Sequence, residues 1–308
     1  MKITLYENLR AVPYVPFYAA LELGTFQAEG LDIRVATSPG PDRTAKDLME
    51  GKADVAWGGP ARVLHEYDED PNCGLICFCQ VVARDPFFLV GNEPNSSFTL
   101  EDLMDVRVGT VAEVPTPWLC LQHDLRLLGM EPESLERVSD ETMADNIVAL
   151  KNGALDVIQI YEPYVEMLVK DGIGHVWSAA ADRGAVAYTT FYTTAGFLRD
   201  CPEVAHGLSR SMFRTLKWLH HQTPTTIARL VSGYFPELSF RTLRGAIARY
   251  QAVQLWGSHT LVGQRGFEWL KSALISGGRI SMGMAYQSCV VTGFDERVIV
   301  EAPLPPSG

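Results

Sequence analysis

The pattern Leu-x-x-Gly-x-x-Asp-Val occurs twice, as Leu48, Gly51, Asp54 and Val55 and again as Leu150, Gly153, Asp156 and Val157. In each copy a helix-forming run ends at a glycine suited to the left-handed C-cap, and an aspartate opens an apolar run of strand length. The flanking elements also come in the same order. Before the first copy lie a short strand at 3–6, a helix that starts after Pro16 and stops at Gly24, an alternating strand at 31–37 and a helix at 44–50. Around the second lie the strand "VRVGT", a helix over 117–128 ended by Gly129, the strand "SLERVSD", a helix in "ETMADNIVALKNG" and the strand "ALDVIQIY". Strands alternating with helices in this way build parallel sheets with helices on their faces. The expected fold class is α/β, with two similar lobes, each a mainly parallel sheet flanked by helices.

Two stretches rich in β-branched and aromatic residues, 77–91 and 185–197, connect the halves, and two crossings between lobes make a hinge. The first lobe is expected to take residues 1–87 and 193–308, the second 88–192. Beyond residue 200 the apolar periodicity is that of helices, in "EVAHGLSRSMFRTLKWLHHQ", "SFRTLRGAIARYQAV" and "GQRGFEWLKSALISGG".

Charge and composition narrow the partners. With 37 acidic against 26 basic residues and no Lys/Arg cluster, the chain lacks the footprint of a nucleic-acid binder. No run of about 18 apolar residues is present, so no direct membrane insertion is expected, and the N-terminus lacks the apolar core and cleavage site of a signal peptide. Six cysteines at this density are not a disulfide framework. Cys77 and Cys79, two apart on a strand, should face one side as small core residues, and no metal site is expected. No Gly-x-Ser-x-Gly elbow, phosphate-cradling loop or zinc-type histidine pair occurs, so no catalytic residue is assigned and no cofactor is expected.

Ligands of open parallel sheets bind at the C-terminal ends of strands, against the N-termini of the following helices. That rule selects Tyr14, Pro16 and Phe17 after the first strand, Gly40 after the second, and Trp57, Gly58 and Gly59 after the third. The second lobe offers Glu113, Thr116, Trp118, Tyr161 and Glu162, and the crossings add Arg84, Tyr188 and Tyr192. Rings with a few polar groups suit a flat small molecule; the glutamates can receive an amine or a heterocycle N–H, and Arg84 an anionic group. Core packing is the competing role for each aromatic, and an inter-lobe ion pair for Arg84.

Four ordered blocks carry a family resemblance: "PFYAALELGTFQAEGLDI" (16–33), "LMEGKADVAWGGP" (48–60), "RDPFFLVG" (84–91) and "ALKNGALDVIQIYEPY" (149–164). Over residues 1–260 the chain resembles the periplasmic solute-binding proteins of ABC importers, in the branch for sulfonates, nitrate and thiamine pyrimidine precursors. The resemblance implies a two-lobed periplasmic-binding-protein-like (type II) fold, a monomer that closes on a small-molecule ligand and presents it to an ABC permease. In pyrimidine-binding members an acidic residue at the position of Glu162 receives the amino-pyrimidine, so an amino-pyrimidine thiamine precursor or similar heterocycle is the leading expectation. Other readings are a sulfonate, nitrate or aromatic-acid binder, a non-exported regulatory binding protein, and an enzyme like the yeast-type pyrimidine-precursor synthase of the same branch. That synthase uses a lysine that holds pyridoxal phosphate and a histidine near the first helix; no Lys or His stands between Lys2 and Lys46 here. The family expectation is a periplasmic location if an export signal lies upstream, and a cytoplasmic one if Met1 is the native start.

Overall fold

The two repeated aspartates do the same job in three dimensions. In the computed structural model, which describes residues 1–301, the Asp54 carboxylate accepts the Thr4 backbone N–H at 2.7 Å and the Asp156 carboxylate accepts that of Arg107 at 2.8 Å. Their own N–H groups donate to the Thr4 and Arg107 carbonyls, each at 3.0 Å. Each aspartate thus fixes the register of the strand it opens against its parallel neighbour. The preceding glycines, Gly51 and Gly153, lie at φ +73° and +69°, where a side chain is strained, so each helix ends there.

The strands are β1 (Lys2–Glu7), β2 (Asp32–Thr37), β3 (Val55–Gly58), β4 (Leu75–Val82), β5 (Phe87–Gly91), β6 (Arg107–Gly109), β7 (Glu136–Val138), β8 (Val157–Tyr161), β9 (His175–Ala179) and β10 (Thr189–Thr194). They form two five-stranded sheets of matching order, β2-β1-β3-β10-β4 and β7-β6-β8-β5-β9. In each, the first three strands are parallel and the fourth is antiparallel to both neighbours. The fourth strands are exchanged: β10 returns from the second half to lie between β3 and β4, while β5 leaves the first half to lie between β8 and β9. Each sheet makes one lobe together with the helices packed on it. The change of sheet falls in the connections 83–86 and 180–188, so the expected boundaries at 87/88 and 192/193 lie inside β5 and β10.

The sequence pattern gives no signal for β9, because its residues are half-exposed along most of its length and lack alternation. At Cys79 the alternation of β4 also breaks. Its φ of +53° and the register shift opposite Thr190 make a bulge, so Cys77 and Cys79 enter different core clusters rather than one face.

The helices of the C-terminal part cover the first lobe. Pro202–His220 packs on Val15–Glu22, and Phe240–Ala252 is fastened through the segment after it, where the Trp256 indole N–H donates to the Pro13 carbonyl at 2.8 Å. Gln264–Ser276 instead meets Thr116–Leu127 of the second lobe, and Arg126 donates to the Ser276 carbonyl at 2.7 Å. Among the described residues no helix is long and apolar enough to cross a membrane.

Candidate functional site

The C-terminal tips of the parallel strands of both sheets converge on one cavity of about 180 Å³. Its first-lobe wall begins at Asn8, the residue after β1. The Asn8 amide donates to the Trp57 carbonyl at 2.9 Å and its oxygen accepts from Thr44 and from Arg62, each at 3.0 Å. One side chain thereby ties three strand-to-helix connections together. Gly58 makes room for it: a Cβ there would lie 2.7 Å from the Asn8 amide nitrogen and 2.9 Å from the Tyr192 ring. Gly59 then passes close under the Tyr188 carbonyl, and Pro60, whose missing N–H costs nothing in a first helical turn, starts the helix Pro60–Glu69 that carries Arg62.

The second lobe contributes Glu113 from the connection after β6, Thr116 from the start of Thr116–Leu127 and Tyr161 from the end of β8. Glu113 accepts the Met143 N–H at 2.9 Å, which anchors its loop to the N-terminus of Met143–Lys151. The crossings supply Pro86 and Tyr188, and the first residues of the strands they lead into supply Phe87 and Thr189. Phe87 meets Tyr161 edge to face at 5.1 Å. Burial pushes the hydroxyls of Tyr14, Tyr161 and Tyr188 up from their ordinary values, so each is a neutral donor at physiological pH.

Of the residues selected from sequence, Tyr14, Gly59, Glu113, Thr116, Tyr161 and Tyr188 line this cavity. The others do not, each for a physical reason. Trp57 and Phe17 are fully buried and stack on each other at 4.4 Å inside the first lobe, and Pro16 is buried in the same helix as Phe17. Tyr192 is buried in β10, its hydroxyl accepting from Arg62 at 3.1 Å. Gly58 gives its space to Asn8, and Gly40 caps the helix Pro41–Met49. Arg84 is spent on the Ala181 carbonyl and the Gln254 side chain, each at 3.2 Å. Trp118 lies under the Arg137 guanidinium, 4.2 Å from its ring, in a cation–π contact outside the cavity. Glu162 is fully buried against Arg249 at 2.6 Å, away from the cavity.

Asn8, Arg62 and Phe87 complete the site. Arg62 has a sequence signal: it stands in the first turn after Gly59-Pro60, where a side chain looks toward the strand tips. Asn8 is the first residue beyond β1 and carries none beyond that position.

Residues 13–224 match the model of the family described as NMT1/THI5 like. Along its whole length the chain is similar to YtlA of Bacillus subtilis (strain 168), whose name calls it a binding protein and prints no ligand: 23% identical, covering 97% of this chain and 90% of that one. Its fold is that of the periplasmic sulfonate-binding protein SsuA from Methylobacillus flagellatus KT, with a TM-score of 0.77 at 13% identity over 99% of this chain and 96% of that one. The desulfurization enzyme DSZB shares the fold at a TM-score of 0.67 and 14% identity, over 97% of this chain and 99% of that one.

Proposed function

The chain belongs to the NMT1/THI5-like family, and from that premise we propose that it is the ligand-binding component of an ABC importer, taking one small, flat organic molecule between its lobes. The observation that carries this reading is the cavity at the strand tips, drawn from both sheets and both crossings and lined by the rings of Tyr14, Phe87, Tyr161 and Tyr188. A ring held there loses its hydration on both faces, and closure of the lobes about the connections 83–86 and 180–188 completes the enclosure. The sulfonate binder of the same fold and the binding protein similar along the whole chain support the importer role. Delivery to a permease places the working protein outside the cytoplasm, as a monomer facing the membrane.

An amino-pyrimidine or similar heterocycle fits with one change of partner. Glu162 is committed to Arg249, so the carboxylate that meets an amino edge is Glu113, which keeps one oxygen beyond its bond to the Met143 N–H. The enzyme reading has less support: it rests on the fold shared with DSZB, whereas the relative similar along the whole chain and the sulfonate binder of the same fold are named as binding proteins.

Native mass spectrometry of the purified protein, before and after denaturing release, tests the proposal, followed by a thermal-shift panel of pyrimidines, sulfonates and aromatic acids. A released or added small molecule that raises Tm saturably without turnover is the expected result. Product formation, or no saturable ligand at all, would sink the proposal.

A further inference from the structure

A second cavity of about 290 Å³ adjoins the first and shares Ala61, Arg62, Glu113, Val114 and Thr116 with it. Its lining is different in kind. Two arginines, Arg62 and Arg279, and two carboxylates, Glu66 and Glu113, face one chamber, together with His65, which lies 3.5 Å from Glu69. Among the described residues none of the four takes part in an ion pair. Arg62 spends a single nitrogen, Nη1, on two uncharged partners, Asn8 and Tyr192. Glu113 has one oxygen in use, on the Met143 N–H.

Equal numbers of opposite charges held apart around one space have a definite preference. A ligand with only a negative group is drawn by the arginines and repelled by the glutamates, and a purely positive one meets the reverse. A ligand bearing both signs satisfies all four: Arg62 and Glu66 are half-buried, and Glu113 and Arg279 are exposed at the rim. The adjoining aromatic cavity has no such charge pattern beyond the shared Arg62 and Glu113, and its lining suits an uncharged ring.

Resting on the reading above, we propose that the ligand is bipartite: a flat ring in the aromatic cavity and a zwitterionic head of the α-amino-acid type in the charged chamber. The carboxylate or sulfonate of the head lies toward Arg62 and Arg279, and its ammonium toward Glu66 and Glu113.

Isothermal titration with four indole probes separates the contributions: L-tryptophan, indole-3-propionate without the ammonium, tryptamine without the carboxylate, and indole. Tryptophan should bind at least tenfold tighter than any of the other three. Arg279→Gln, at an exposed side chain, should narrow its advantage over tryptamine, and Glu66→Gln its advantage over indole-3-propionate, each with an unchanged Tm in the absence of ligand. Arg62→Lys, which keeps the charge, should retain most of the affinity that Arg62→Gln loses. Equal binding of tryptophan and either half-charged probe overturns the inference and leaves the binding protein intact. If no indole binds, the charge of the molecule released from the native protein decides: a zwitterion upholds the inference, and a ligand of one sign or none overturns it. Absence of any saturable ligand counts against the underlying reading itself.

Discussion

Arg249, on the helix Phe240–Ala252 of the first lobe, reaches Glu162 of the second at 2.6 Å from Nε to Oε1. Its Nη2 holds Glu166 at 2.8 Å. Beside it the Tyr250 hydroxyl accepts the Glu162 N–H at 3.1 Å and donates to the Pro86 carbonyl at 3.3 Å, so the clamp sits against the first crossing. Glu162 is fully buried there, and burial raises its pKa to about 7, although Arg249 and the Glu166 N–H pull the other way.

Glu162→Gln should therefore act on stability rather than on ligand contact. Gln offers one acceptor oxygen for the Arg249 and Glu166 N–H groups that the two Glu162 oxygens receive, so the loss is expected to be about 1–3 kcal/mol in urea unfolding at pH 5, where the buried acid carries no charge penalty, with ligand affinity changed less than threefold. A tenfold loss of affinity at unchanged stability would return Glu162 to the ligand.

A second buried acid gives a pH signature. Asp295 is fully buried where it accepts the Cys79 N–H at 3.1 Å, and burial raises its pKa to about 7 from an ordinary 3.8. The folded state holds that proton more tightly than the unfolded one. The contribution to stability is complete below about pH 4, falls as pH rises between 4 and 7, and is gone above that. Glu162 shifts in the same direction. Asp295→Asn should flatten the decline of unfolding free energy between pH 4 and 7 by an amount on the order of 2–4 kcal/mol, read from urea titrations at each pH. A pH profile identical to that of the wild type contradicts this.

Gly58→Ala should disturb the cavity through Asn8. The new methyl would lie 2.7 Å from the Asn8 amide nitrogen, and the bonds to Trp57, Thr44 and Arg62 would shift with it. About 1–3 kcal/mol of stability and at least tenfold in affinity are the expected losses. Gly40→Ala is the control, since a Cβ at Gly40 meets nothing within 4 Å, and it should stay within about 0.5 kcal/mol.

Phe17 and Tyr14, three residues apart, should separate by readout. Phe17→Ala removes a fully buried ring stacked on Trp57 and should cost about 3–5 kcal/mol in unfolding experiments. Tyr14→Ala, at a half-buried residue of the cavity wall, should lower affinity more than stability. The opposite ordering would mean that the rings have been assigned to the wrong places.

Much of the fold is legible because the chain writes it twice. The glycine C-cap and the strand-opening aspartate appear in both halves, and the rule that ligands sit at strand ends leads to the cavity-bearing end of both sheets. The errors come from ignoring which face of a strand a residue occupies. Val55 and Trp57 alternate with Ala56, and Trp57 follows Val55 into the core, so the same period that identifies the strand also turns the tryptophan inward. Arg249 is invisible to local reasoning for another reason: it lies 87 residues from Glu162, and nothing near "YEP" encodes the helix that meets it.

The exchange of fourth strands also fixes the order in which a growing chain can finish its parts. β5 to β9 occupy one unbroken stretch, residues 87–179, whereas the first sheet keeps a gap between β3 and β4 until residue 194 has been made. The half synthesised first is thus completed last, and until β10 arrives it carries two open strand edges that invite pairing with other chains. A ribosome-bound chain stalled before β10 has emerged should protect its second sheet from protease while the first is still cut.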